Sequence, residues 1–238
     1  MPEKTTALPP TPPPQVTPPE KGSKTNYHNG TVGDCLVFAQ RVTYGLNNDP
    51  DIRRMMEPVG YDQFKINAFT TVYEAALNAH AAQQKEYSDK TGSYAEFEKI
   101  YKKAKTDLSC LIKVAKVALK NDRQKVDLLN LNGKKGYSVS DVFTYMSRLY
   151  INLEGDSNLL DKMAVYGYNI NRVAACRNSF LNAQTQYNKY LKENSEAVEA
   201  TKFRDERMAE LDEWMYDYYA LAKVAYLQKN EFNNEQQA

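Results

Sequence analysis

The sequence is short of most of the parts from which catalytic and metal sites are built. Only two residues are histidine, His28 and His80, and no Glu-x-x-His occurs. The inward glutamate–histidine set of a di-metal helical bundle therefore has no counterpart here. One core imidazole without a partner is equally poor support for haem. No Gly-x-Ser-x-Gly is present, and with His80 the one candidate base, no nucleophile, base and orienting group assemble. Gly133-Lys134-Lys135-Gly136 shares the composition of a phosphate loop but not its spacing, and no strand precedes it, so it reads as a turn. Cys35, Cys110 and Cys176 are odd in number and lack Cys-x-x-Cys spacing. That pattern suggests neither a disulfide framework nor a zinc site, and three buried thiols are expected. Catalytic, cofactor-binding and metal residues are thus all expected to be none.

Charge of one sign is missing too. Lysine and arginine number 31 against 30 acidic residues, a net charge of +1, so there is no global electrostatic case for nucleic acid or an anionic membrane. No stretch approaches the ~20 apolar residues of a membrane span, and Met1-Pro2-Glu3-Lys4 opens without the apolar run of a signal peptide. A cytoplasmic location is the expectation. Proline is scarce beyond the first 30 residues, where Pro9, Pro10, Pro12, Pro13, Pro14, Pro18 and Pro19 crowd together with almost nothing apolar. Such a segment cannot bury enough surface to offset its ordering entropy, which predicts a disordered, polyproline-like arm. Pro9-x-x-Pro12 fits a docking pattern, so Pro9–Pro19 is a candidate docking segment. Asn29-Gly30-Thr31 matches a glycosylation sequon but reads as a turn without a secretory signal.

What the chain does have is a copy of itself. Val59-Gly60-Tyr61 recurs as Tyr166-Gly167-Tyr168, and Ala115-Lys116-Val117-Ala118 as Ala222-Lys223-Val224-Ala225, both displaced by 107 positions. The same frame pairs Asp34 with Asp141, Asp49 with Asp156, Ala76 with Ala183, and Lys85-Glu86 with Lys192-Glu193. Identities spread this evenly in one frame point to a tandem duplication.

Each copy opens with two short helices. Asp34 is suited to cap one carrying Phe38 and Val42, and Asp141 one carrying Tyr145 and Leu149. Asp49, followed by Pro50, caps the next, and Asp156 takes that role in the second copy. Pro58 stops the helix near Glu57, and Gly60 and Gly167 are expected left-handed caps. Apolar positions then step by threes and fours: Ile66, Phe69, Tyr73, Ala76 and His80 in one copy, Val173, Cys176, Phe180, Ala183 and Tyr187 in the other. A break at Thr91-Gly92-Ser93 precedes a second stripe through Phe97, Tyr101, Ala104, Leu108 and Leu111, matched by Arg204, Met208, Leu211, Met215 and Tyr218. The expected fold is all-α: an elongated bundle of four long helices with short capping helices. Its divisions are a disordered arm at 1–30, repeats at 31–131 and 138–229, a linker at 132–137 and a polar tail at 230–238.

Two features point to protein contacts. Trp214, Tyr216, Tyr218 and Tyr219 put aromatics in more directions than one core face can hide. Lys99 and Lys103 are basic where their repeat mates, Glu206 and Glu210, are acidic, so the copies could pair within or between chains. Leu211-Asp212-Glu213-Trp214 running into Ala220 to Ala225, with Gly167-Tyr168 upstream, resembles a group of uncharacterised bacterial all-helical proteins with two similar halves. The resemblance spans residues 31–229, implies the fold and imports no activity. The expected function is a non-enzymatic structural, assembly or adaptor protein, with self-association or a protein partner. The alternative is a small-molecule- or metal-binding bundle with a cavity near His80 and Cys176. Nucleic acid is not expected as a partner.

Overall fold

The computed structural model describes residues 30–235, with side chains described through residue 230. The proline-rich arm with Pro9–Pro19, His28 and Asn29 lie outside the described residues. Within them the chain forms seven α-helices and no strand: α1 (Val32–Asn48), α2 (Pro50–Met56), α3 (Gln63–Ala118), α4 (Arg123–Leu128), α5 (Val139–Glu154), α6 (Ser157–Ala164) and α7 (Ile170–Glu235). Three pairs of helix starts fall 107 positions apart: Val32 and Val139, Pro50 and Ser157, Gln63 and Ile170.

Local chemistry explains those coincidences. The hydroxyl of Thr31 accepts the amide N–H of Asp34 at 3.3 Å, and the Asp34 carboxylate accepts that of Thr31 at 2.8 Å. Ser138 and Asp141 exchange the same pair of bonds at 3.0 and 3.3 Å. Two orphan donors are satisfied at each start, so the hydroxyl residues are the caps and the expected caps Asp34 and Asp141 sit three residues inside. Asp49 accepts from Asp51 and Ile52, and Asp156 from Leu159. Asp62 and Asn169 cap the long helices through Lys65 and Arg172. Gly60 and Gly167 have φ of +91° and +81°. Around them Tyr61 N–H donates to Met56 C=O and Tyr168 N–H to Met163 C=O, the long hydrogen bond of a left-handed helix termination. The side chains beyond the turn match as well, with Lys65 over the Tyr61 ring at 4.7 Å and Arg172 over the Tyr168 ring at 5.8 Å.

The four long helices expected from the pattern are two. The 56 residues of α3 run unbroken through Gly92, and α7 continues for 66 residues to Glu235, into the stretch expected to be a polar tail. At 1.5 Å per residue they span about 84 and 99 Å. One glycine costs about 1 kcal/mol in a helix, and tertiary contact on its far side outweighs that. Tyr94 packs against Tyr190 at 5.1 Å and Phe97 against Tyr187 at 5.0 Å. Thr91 and Ser93 return their hydroxyls to the helix's own carbonyls at Tyr87 and Lys90.

The contact of Phe69 with Trp214, together with Tyr94 on Tyr190, shows that α3 and α7 run antiparallel. Two cores form, one at each end of this pair. The first lobe joins Cys35, Leu36, Ala39, Val42 and Leu46 of α1 to Ile66, Phe69 and Ala76 of α3 and to Met208, Leu211 and Met215 of α7. The second joins α5 and α6 to Leu108, Leu111 and Ala115 of α3 and to Val173, Cys176 and Phe180 of α7, with Leu129 and Leu131 closing over it. Between the lobes lies a waist made of α3 and α7. One expectation of burial fails. Cys110 is exposed, whereas Cys35 and Cys176 are buried as expected.

Candidate interaction surfaces

The aromatic stretch of α7 is held by helices on two sides, which is why it hides more than one face. Trp214 packs on Phe69 at 6.0 Å, Tyr218 on Tyr61 at 5.7 Å, and Tyr219 on Phe38 at 5.9 Å. These three line the core of the first lobe. Of the four expected contact residues, Tyr216 projects furthest, at 52% exposure, with Tyr226 and Leu227 exposed beyond it. Burial pushes the Tyr61 hydroxyl up to about 12, with Asp217 and Tyr218 adding to it. The Cys35 thiol is also pushed up to about 12, first by burial and then by Asp212, whose carboxylate accepts its S–H at 3.3 Å. A thiol held neutral in this way is a poor nucleophile.

The expected charge pairs are not brought together within the chain. Lys99 lies 4.0 Å from Glu96 on its own helix, and Glu210 is 2.7 Å from Arg207 on its own. Lys99 and Lys103 stand on the second lobe, Glu206 and Glu210 on the first. The separation extends to the whole rod. Residues 89–195 carry 18 lysines and arginines against 11 aspartates and glutamates, a balance of +7. Residues 30–88 and 196–230 carry 10 against 15, a balance of −5. The near-zero net charge therefore conceals two oppositely charged halves that adjoin at the waist, where Lys192 of one pairs with Glu196 of the other, and whose far ends lie well beyond the screening length of about 8 Å. On the basic end, burial and then Lys116 and Lys105 hold the Lys135 ammonium below its ordinary value, so these lysines share one field.

At the waist Glu86, Glu193 and Glu196 converge, with one oxygen of each within 4.8 Å of the others. Lys192 lies 3.1 Å from Glu196 and Lys85 3.7 Å from Glu86, so lysines interleave the carboxylates. A groove of about 590 Å³ runs beside them, lined also by Asp89, Glu199 and Phe203. Acidic spacing along α7 alone suggests only a solvated face; Glu86, the member contributed by α3, is what that reading misses. The 107-residue offset holds the clue, because Lys85-Glu86 and Lys192-Glu193 correspond in it, and these corresponding positions face each other where α3 and α7 cross. His80 and Cys176 share no cavity. Cys176 packs with Leu108 in the second core, which lies 28 residues, or about 42 Å, along α3 from His80. The His80 ring meets Gln84 at 3.1 Å, one turn away.

Among the described residues no helix is long and apolar enough to cross a membrane. Compared with protein-family models, curated proteins and solved structures, this chain, an all-α rod with oppositely charged ends, matches none.

Proposed function

We propose that this chain is a non-enzymatic assembly or adaptor protein, a rod that holds two contact surfaces apart, and that it arose by tandem duplication of a helical module of 107 residues. The observation that carries the reading is the pair of unbroken antiparallel helices bearing a basic lobe at one end and an acidic lobe at the other. A stiff spacer between opposite charges is suited to bridging, and charge complementarity sets partner choice and encounter rate. Duplication is supported by the repeated helix starts, the paired capping boxes and the paired left-handed glycines. It also accounts for the crossing of Glu86 with Glu193, each the mate of the other.

Crosslinking in solution followed by mass spectrometry tests the reading. Crosslinks from lysines or carboxylates of the lobes to a second protein chain are expected. A chain that stays monomeric and yields no crosslinked partner from its native lysate contradicts it.

A further inference from the structure

We propose that two copies of this chain associate side by side and antiparallel, the basic lobe of each lying against the acidic lobe of the other. This names the partner within the assembly reading and rests on it.

Stiffness comes first. The two lobes are fixed at opposite ends of α3 and α7, so the +7 and −5 balances cannot collapse onto one another within one molecule. A complementary surface of this reach can come only from another molecule. An end-to-end contact satisfies one lobe of each copy and leaves the other available, so it propagates as an open series. An antiparallel side-by-side contact satisfies both lobes of both copies and closes with two-fold symmetry.

The register of the charges fits that closure. Glu86 and Glu193 meet at the waist. Lys99 lies 13 residues from Glu86 along α3, and Glu206 lies 13 residues from Glu193 along α7 in the opposite direction. Each is therefore about 20 Å from the crossing. A second copy laid antiparallel brings its Glu206 to the level of Lys99 and its Glu210 to the level of Lys103. Lys99, Lys103 and Glu206 are exposed and Glu210 half-buried. Lys102 and Lys105, also exposed, widen the basic flank.

Sedimentation of the full chain tests this, with charge-reversed variants as the control. The wild type is expected to be a dimer at about 50 mM salt, with its dissociation constant rising tenfold or more towards about 0.5 M as screening tightens. Lys99→Glu with Lys103→Glu, and separately Glu206→Lys with Glu210→Lys, are expected to sediment as monomers with unchanged helical circular dichroism. Mixed one to one, they are expected to re-form a dimer, because each variant then presents what the other lacks. A wild type that is monomeric at every salt concentration overturns the proposal. So does a monomer whose basic lobe is retained only on heparin or anionic vesicles. A concentration-dependent series of larger species overturns the closed geometry. A monomeric wild type that crosslinks to a different protein overturns self-association while leaving the adaptor reading standing.

Discussion

The two lobes share a frame and exchange their bulk. On the short first helix, Cys35, Ala39 and Thr43 of one lobe correspond to Val142, Met146 and Tyr150 of the other. On the long helices the inequality reverses. Phe69 corresponds to Cys176, and Leu211, Met215 and Tyr218 correspond to Ala104, Leu108 and Leu111. Where the short helix is slim the long helices are broad, and the converse. Interiors are packed to a nearly fixed density, so an end that is slim on one helix must be filled from its neighbour. Surfaces carry no such constraint, and there the two ends differ in charge, +7 against −5, while their helix caps are alike.

Breaking the exchange gives the largest effects. Phe69→Ala and Phe180→Ala remove buried rings at 0% and 3% exposure, and each is expected to cost about 3–5 kcal/mol in denaturant unfolding. A silent result at either site would mean that the stripe does not face the core. Moving bulk the wrong way is the sharper test. Cys176→Phe installs the first lobe's residue in a core already filled by Tyr150 and Phe180, which stack at 5.8 Å. It is expected to cost about 1–3 kcal/mol by overpacking, and coupling to Phe180→Ala should relieve part of that in a double-mutant cycle.

Glycine sharpens the comparison at the next scale. Gly60→Ala and Gly167→Ala are each expected to cost about 1 kcal/mol, because both positions need positive φ although an added Cβ would meet no neighbour. Gly92→Ala is expected to do the opposite and gain about 0.5–1 kcal/mol, since it lies within a helix, exposed, with open space for a Cβ. Equal signs at all three positions would contradict the helix boundaries.

Acid should separate the lobes. Asp122, Asp141 and Asp156 of the second lobe are held below the ordinary 3.8, Asp122 and Asp156 mainly by the Lys162 and Lys125 ammonium groups and Asp141 by Ser138. In the first lobe Asp34 is depressed likewise, by Thr31. A depressed carboxylate stabilises the fold above its unfolded value and stops doing so as pH falls through its folded one. Hydrogen exchange between pH 4 and 2 is therefore expected to lose protection faster in α5 and α6 than in α1 and α2. The smallest effect belongs to Tyr61→Phe. That buried hydroxyl has no hydrogen-bond partner among the described residues, so its removal is expected to leave the melting temperature unchanged or raise it slightly.

Most of the helix boundaries are legible in the sequence because they are set by adjacent residues: Asp49 before Pro50, Gly60 after Pro58, Asp62 before α3. The core stripes are legible because periodicity is local as well. The break at Gly92 is misread for the complementary reason: its local cost is visible, while the contacts of Tyr94 and Phe97 that outweigh it come from residues about ninety positions away. Trp214, Tyr218 and Tyr219 stand among the contact candidates because a helix viewed alone has one buried face, whereas α7 is gripped on two sides. The charge contrast between Lys99 and Lys103 and Glu206 and Glu210 can be read from a 107-residue offset in the sequence, but their placement on opposite lobes needs the antiparallel crossing.

The separation of the two lobes depends on α3 passing straight through Gly92. Spin labels at the exposed positions Thr71 and Thr106, in a chain with exposed Cys110 replaced by serine, measure this by electron–electron dipolar distance. An unbroken helix predicts about 52 Å between the two backbone sites, at 1.5 Å for each residue. A hairpin folded back at Gly92 would bring the two backbone sites to roughly 14 Å, since antiparallel neighbours pack 8–10 Å apart and the two sites would be offset by about 10 Å along the axis. A distance near that shorter value would contradict the account.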